Sequence, residues 1–406
     1  MAAVTEAPEP DLRAAADLVM AMMAIAGPSG REGEIVRFVR QRLRQAGIPA
    51  SAIRQDAAHR RSKRGGDAGN LIVKLPGTCR APRRLLMAHV DTVPICEGCQ
   101  PVRGGRFVRS ADTTTGLGAD NRSGAAAILV AALALGRGRL PHPPVTFLWT
   151  IQEEWGLVGS RHVRLADLGR PRMAFNFDSG QVDRLIVAAT GAVRLQVEIM
   201  GIASHAGVHP EDGVSAITIA SLAISRLHRD GLIGRIEKGR RRGTSNVGRL
   251  SGGEASNVVA PHVQIRAEVR SHDKRFRQTL VNRFRNAFER AAREVRNAAG
   301  RPGRVQFRAQ HGYESFRLGS REPAVTVARE AVAGVIGHKP LLATVDGGLD
   351  ANSLTARGLP TVTIGAGQHG AHTVDEYLDL AEFERGCRVA LRLATGTETK
   401  RAPGSA

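Results

Sequence analysis

Two kinds of hydrophobic spacing alternate along the chain. Residues 70–75, 84–89, 145–151 and 173–177 are short, nearly unbroken apolar runs, the pattern of buried strands. Residues 11–26, 32–46, 123–135 and 159–168 carry apolar residues at helical spacing. The first of these helices stops at Gly27-Pro28-Ser29-Gly30, a strong breaker, after a loose N-terminal stretch. The second sets Ile35, Val36, Phe38, Val39 and Leu43 on one side and arginines on the other. Residues 57–69 are charged and contain glycine, which reads as an exposed loop. Strands alternating with helices predict an α/β sheet with helices on both faces.

Beyond Gly191 the pattern changes. Strands are predicted at 192–200, 244–250, 263–269 and 304–309, with helices at 213–227 and 274–298. That order, β-α-β-β-α-β, is the split unit of a ferredoxin-like domain. A helix at 323–336, a strand at 361–364 and a helix at 380–393 then resume the first pattern. The expectation is a discontinuous domain, residues 1–190 and 319–406, with a smaller domain, 191–318, inserted into it.

A chain of 406 residues exceeds one domain's worth and can bury a large core, filled by Ala, Val and Leu because aromatics make up only 4%. The net charge of +20 raises nucleic acid or an anionic membrane as partners. The basic residues are mostly arginines spread along the chain, with short tracts only at 60–64 and 238–242 and no aromatic interleaving. Solvated surface arginine, with a general attraction for anionic substrates, is therefore the expectation, and nucleic acid is not an expected partner. The four cysteines are too few for a disulfide framework, which suggests a reducing compartment. The start lacks the order of a secretory signal, and the longest apolar run, 125–135, is too short to cross a bilayer. A cytoplasmic location without membrane contact is expected.

The chemistry centres on Glu153-Glu154, two adjacent acids at the end of the apolar run 145–151. Acids there call for a cation or a proton. His89 and Asp91 close another strand, Asp120 lies in Gly118-Ala119-Asp120-Asn121, Asp178 follows a third strand, and His372 lies in a glycine-containing loop. In α/β sheets ligands gather at the carboxyl ends of strands. Together these residues supply the inventory of a two-metal hydrolase, which needs a bridging carboxylate and one or two further ligands for each ion. Imidazole and carboxylate donors with few thiols suit zinc, and manganese or cobalt also fit. Of the two adjacent glutamates, one can face a metal while its neighbour handles the proton of the attacking water. Asp91, two residues after His89, is placed to hold the imidazole. Cys96-Glu97-Gly98-Cys99 lacks the second pair of a structural zinc site and is not taken as a ligand set.

The ordered set HVDTVP, GADN, EEWG, NFDS and AHTVDE resembles the dinuclear zinc exopeptidase family that includes peptidase T, carnosinase-like dipeptidases, glutamate carboxypeptidases and aminoacylases. The likeness spans nearly the whole chain, and residues 344–352 and 204–216 look most like the peptidase T branch. It implies a mixed sheet flanked by helices, with the ferredoxin-like insertion serving as lid and homodimer interface. Carried over by position, His89 and Asp178 would bind one metal, Glu154 and His372 the other, and Asp120 would bridge. Glu153 would be the general acid/base and Asp91 would orient His89. A cis peptide is expected after Asp120. In the insertion, His205 would stabilise the oxyanion, Arg270 would grip a substrate carboxylate, and Asn257 would lie near the same site. The implied activity is exopeptidase action on short peptides, most simply tripeptide aminopeptidase. A carboxypeptidase or N-acyl-amino-acid deacylase would use the same centre, and a non-catalytic binding module would not need Glu153.

Overall fold

The computed structural model describes residues 9–138 and 140–396. The chain divides into two compact units. One comprises the described residues up to Ala188, with Arg317–Val345 and Leu349 onwards; the other comprises Ala189–Phe316 with Asp346–Gly348. The loose N-terminal stretch expected from the sequence lies largely outside the described residues.

The first unit is built on a nine-stranded mixed sheet whose interior runs Leu71–Leu75, Val145–Thr150, Arg84–His89, Met173–Phe177, Thr361–Ile364. The last four of these are mutually parallel, so their carboxyl ends lie along one edge. Leu71–Leu75 is antiparallel to its neighbour, which makes the sheet mixed. All six residues of Val145–Thr150 and all five of Met173–Phe177 are buried, as continuous apolar runs require when helices cover both faces. The helix Ala119–Gly136 packs on the sheet and against the closing helix Leu380–Thr395. Trp149 is fully buried and donates its indole N–H to the Ala125 carbonyl at 3.1 Å, tying strand to helix.

Gly124 sets how closely that helix approaches the site. A β-carbon there would lie 1.8 Å from the Phe177 carbonyl oxygen, so only glycine fits. The Asn121 side chain bridges the same gap, donating to the Phe177 carbonyl at 2.7 Å and accepting from the Gly124 N–H at 3.1 Å.

The second unit is a five-stranded antiparallel sheet in the order Gly234–Lys238, Arg241–Gly252, His262–Ser271, Gly191–Met200, Arg304–Tyr313. The helices Ala216–Arg229 and Lys274–Glu294 cover one face, burying Leu195, Val197, Ile199, Ile265, Phe284 and Phe288. Apart from the edge strand 234–238, this is the ferredoxin-like order expected from the sequence. That strand, Gly-Arg-Ile-Glu-Lys, buries only Ile236, which left no alternation to read. Asp346–Gly348 joins this unit through the Asp346 carbonyl, which accepts from the Thr190 hydroxyl at 2.8 Å.

Several local expectations change. The helix expected at 159–168 is only Val158–His162; Leu165 and Leu168 keep their apolar role through successive turns ending at Gly169, whose φ is +76°. The helix expected to reach 298 stops at Glu294, where Val295 is extended. Residues 57–69 are not a simple exposed loop, since Ala58 and Ala68 are buried and a 3-10 turn spans Ala58–Arg61. The short strands Pro101–Gly104 and Phe107–Ser110, which pair with Tyr377–Asp379 and Gln368–His369 in a separate sheet, were not legible.

Candidate metal centre

The parallel register does most of the assembly. His89 pairs with Thr150, and Met87 pairs with Asn176, which sets His89 level with Asp178 two residues further on. Glu153 and Glu154 come three and four residues after Thr150, just beyond the strand end. His372 comes from the segment after Thr361–Ile364, and Asp120 from the start of the helix Ala119–Gly136. All seven residues expected at the centre from this unit are thus drawn to one edge of the sheet.

Asp120 stands in the middle. Its Oδ1 lies 3.1 Å from His89 Nε2 and its Oδ2 lies 3.5 Å from His372 Nε2, so each oxygen faces a different imidazole. On one side, Asp178 Oδ1 is 3.6 Å from His89 Nε2. On the other, Glu154 Oε1 is 2.8 Å from His372 Nε2. Ligand atoms of His89, Asp120 and Glu154 lie within 4.8 Å of one another. The peptide between Asp120 and Asn121 is cis. Gln152 and His372 take φ of 51° and 66°, uncommon for residues other than glycine.

Around these donors is a shell of buried acceptors. Asp91 Oδ1 accepts the backbone N–H of Glu153 at 2.9 Å, its Oδ2 accepts that of Glu154 at 3.2 Å, and Ser29 donates to the same Oδ2. The Asp91 carboxylate also lies 3.4 Å from His89 Nδ1, which leaves Nε2 turned to Asp120. Glu32, fully buried, accepts the N–H of Gln152 at 3.0 Å. Three successive amides, 152–154, are therefore fixed by two carboxylates. Glu376 accepts the N–H of Asp120 at 2.8 Å and of Gly118 at 2.7 Å. Gln368 and Asn176 donate to the two oxygens of Asp178 at 3.3 and 3.4 Å. Asp350 is buried and accepts from the Thr150 hydroxyl.

Crowding acids in a dry site demands positive charge. Hydrogen bonds to Asp120 and Glu154 push His372 up to about 10. Burial pulls His89 down, but Asp120, Asp178 and Asp91 outweigh it and raise the imidazole well above its ordinary value. Burial pushes Glu153 well above the usual carboxylate range, with Glu154, Asp350 and Asp178 adding to the effect. Burial likewise raises Asp350 to about 6. Two imidazoles and three carboxylates converging on shared gaps are a donor set for divalent cations, which would displace the imidazole protons. The residues fit the group.

Glu32, Asp350, Gln368 and Glu376 were given no role from the sequence. Asp350 and Glu376 lie inside the motifs singled out there, and that placement, with Glu376 four residues after His372, was the signal available. In the second unit, His205 and Asn257 lie on exposed loops joined by the Ala206 N–H to Asn257 carbonyl bond at 2.9 Å. Arg270, near the end of its strand, is held by Glu268 at 2.9 and 3.2 Å. Cys96 and Cys99 are buried thiols, both raised by burial, Cys99 to about 11.

A model of the family described as Peptidase family M20/M25/M40 matches residues 85–396. The Bacillus subtilis protein YqjE, itself uncharacterised, is 32% identical over 373 residues, covering 92% of this chain and 95% of its own. The structure of a tripeptidase from Staphylococcus aureus superposes with a TM-score of 0.85 at 27% identity, over 96% of this chain and 100% of that one. The aminopeptidase PepT from Bacillus cereus gives a TM-score of 0.80 at 31% identity, over 95% and 98%.

Proposed function

The chain belongs to peptidase family M20/M25/M40 and is a metallopeptidase, a hydrolase of peptide bonds; on that footing we propose that it is a peptidase T-like tripeptide aminopeptidase with a dinuclear metal centre. The observation that carries the proposal is the divided carboxylate of Asp120, one oxygen toward His89 and the other toward His372. His89 and Asp178 would hold one ion and Glu154 and His372 the other, with Asp120 shared between them. Zinc is the expected metal, with manganese or cobalt compatible with the same donors. When bound, the pair of ions supplies Lewis acidity toward the scissile carbonyl and lowers the pKa of the attacking water.

The chain's own residues do the rest. Glu153, buried beside the ligands but bonded to neither imidazole, takes the proton from the attacking water and returns it to the leaving amine. Asp91 holds His89 and both glutamates of the loop in place. His205 steadies the developing oxyanion, while Asn257 and Arg270 contact the peptide. The second unit acts as a lid and as the surface of a homodimer, in a cytoplasmic enzyme.

Product analysis by mass spectrometry on matched tripeptides with free, N-acetylated and C-amidated ends tests this. Loss of the first residue, abolished by N-acetylation and by chelator, is expected. Release of the last residue, or of acetate, would instead assign the carboxypeptidase or deacylase reaction to the same centre.

A further inference from the structure

The second unit's sheet has one face turned away from its two helices. On that face the registers set Arg249 opposite Arg266, Arg266 opposite Gln196, and Gln196 opposite Arg308. These four residues form one row across four strands spaced about 4.8 Å apart. Beside it runs a second row, Ser251, Gln264, Glu198 and Gln306, and the two rows line a hollow of about 180 Å³.

Like charges directly across a strand pair repel, so the Arg249–Arg266 pair works against the sheet unless something offsets it. Nothing in the protein does so: among the described residues, none of the three guanidiniums has an ion-pair or hydrogen-bond partner. The acid in the hollow, Glu198, is engaged by His262 at 2.9 Å. Arg270, further along the same strand face as Arg266, is paired with Glu268. Arg194, in the next row of the same face, also has no ion-pair or hydrogen-bond partner among the described residues, so what sets this row apart is the alignment of three arginines around a hollow. The chain's surplus of arginine explains how many there are, but not why three align unpaired around a hollow.

We propose that this row binds a small molecule carrying two anionic oxygen groups. Arg249 and Arg266, on adjacent strands, grip one group with their planar forks, and Arg308, two strands beyond Arg266, takes the other. Gln196 lies between them, its amide available to the ligand's centre. Phosphate and carboxylate share this chemistry. A nucleic acid does not suit the hollow, because no aromatic ring lines it to stack a base.

The test is isothermal titration calorimetry on the full chain at fixed ionic strength, with pyrophosphate and citrate as probes and a single-stranded oligonucleotide alongside. The Arg249→Gln/Arg308→Gln variant is compared with Arg235→Gln/Arg240→Gln, which removes the same charge from the exposed edge hairpin of the same unit. Circular dichroism checks that both fold. One of the two small anions is expected to bind the wild type and to weaken about tenfold or more in the row variant only, as loss of charge-assisted hydrogen bonds requires. Whether pyrophosphate or citrate binds identifies the group as phosphate or carboxylate. No binding of either anion, or equal weakening in both variants, would overturn the site as a diffuse charge effect. Oligonucleotide binding tighter than either small anion, and lost in the row variant, would overturn the small-molecule occupant. Peptide hydrolysis does not enter the readout, so the outcome is separable from that of the tripeptide assay.

Discussion

Glu376 Oε1 accepts the backbone N–H of Asp120 at 2.8 Å, across a separation of 256 residues. Its other oxygen accepts from Gly118, so one buried carboxylate fixes the loop that presents Asp120, the proposed bridging ligand. Glu376 also lies four residues after His372, and the same bond therefore ties two ligand segments together. Glu376→Gln offers an amide hydrogen where an N–H must be received, and is expected to loosen Asp120 without unfolding the chain. Metal affinity should fall by roughly 10–100-fold, the range for disrupting a ligand's outer partner. Metal content measured after dialysis against graded chelator checks this; unchanged affinity would remove Glu376 from the centre.

Glu153 and Glu154 are neighbours with opposite prospects. Glu154 meets His372 at 2.8 Å, whereas Glu153 has its N–H held by Asp91 and its carboxyl left free of the imidazoles. Glu153→Ala should keep both metals and lower kcat by about 10²–10⁴-fold or more. Glu154→Ala should lose metal occupancy. Metal stoichiometry measured beside kcat separates the two roles, and an active Glu153→Ala enzyme would show that the proton passes through another group.

Much of the centre was legible because its residues stand at the ends of apolar runs. His89, Glu153, Glu154 and Asp178 follow strands whose composition announces burial, and a parallel sheet sends such ends to one edge. Glu32 and Glu376 were not legible. Glu32 sits at the start of a helix, where an acid is ordinarily solvated, yet it is fully buried against the Gln152 amide 120 residues away. No local pattern encodes a partner at that distance. The strands 101–104 and 107–110 escaped for a different reason. They are short and largely exposed, and their pairing with 377–379 is set by tertiary contact, not by alternation. In the insertion, the alternation of Gly191–Met200 and His262–Ser271 was plain because one face is covered by helices and the other is not.

Gly124 offers a test of how tightly helix and sheet are matched beneath the ligands. An added β-carbon would overlap the Phe177 carbonyl at 1.8 Å and the Asn121 side chain at 2.4 Å, neither of which can retreat without moving Asp178 or Asp120. Gly124→Ala is expected to destabilise the protein by about 3 kcal/mol, the upper range for overpacking. Urea unfolding of the metal-free protein measures this. A loss below about 1 kcal/mol would mean that the helix can shift outward freely.

Asp379 gives the stability a defined response to acid. It caps the closing helix, accepting from Ala381 and Glu382, and receives two bonds from Arg106 at 2.7 and 2.6 Å. Burial alone would raise its carboxyl, but Arg106 and the helix amides outweigh that and hold it below the ordinary value of 3.8. A carboxylate with a lowered folded pKa contributes stability that is present above the unfolded value and lost as pH falls through the folded one. Asp379→Ala should therefore cost about 1 kcal/mol at pH 7 through the lost cap, plus whatever the Arg106 pair contributes. The gap between wild type and variant should narrow as the pH drops below about 4. Urea melts of the metal-free protein at neutral and acid pH check the sign. A gap that stays constant or widens in acid would mean that the cap acts without its charge.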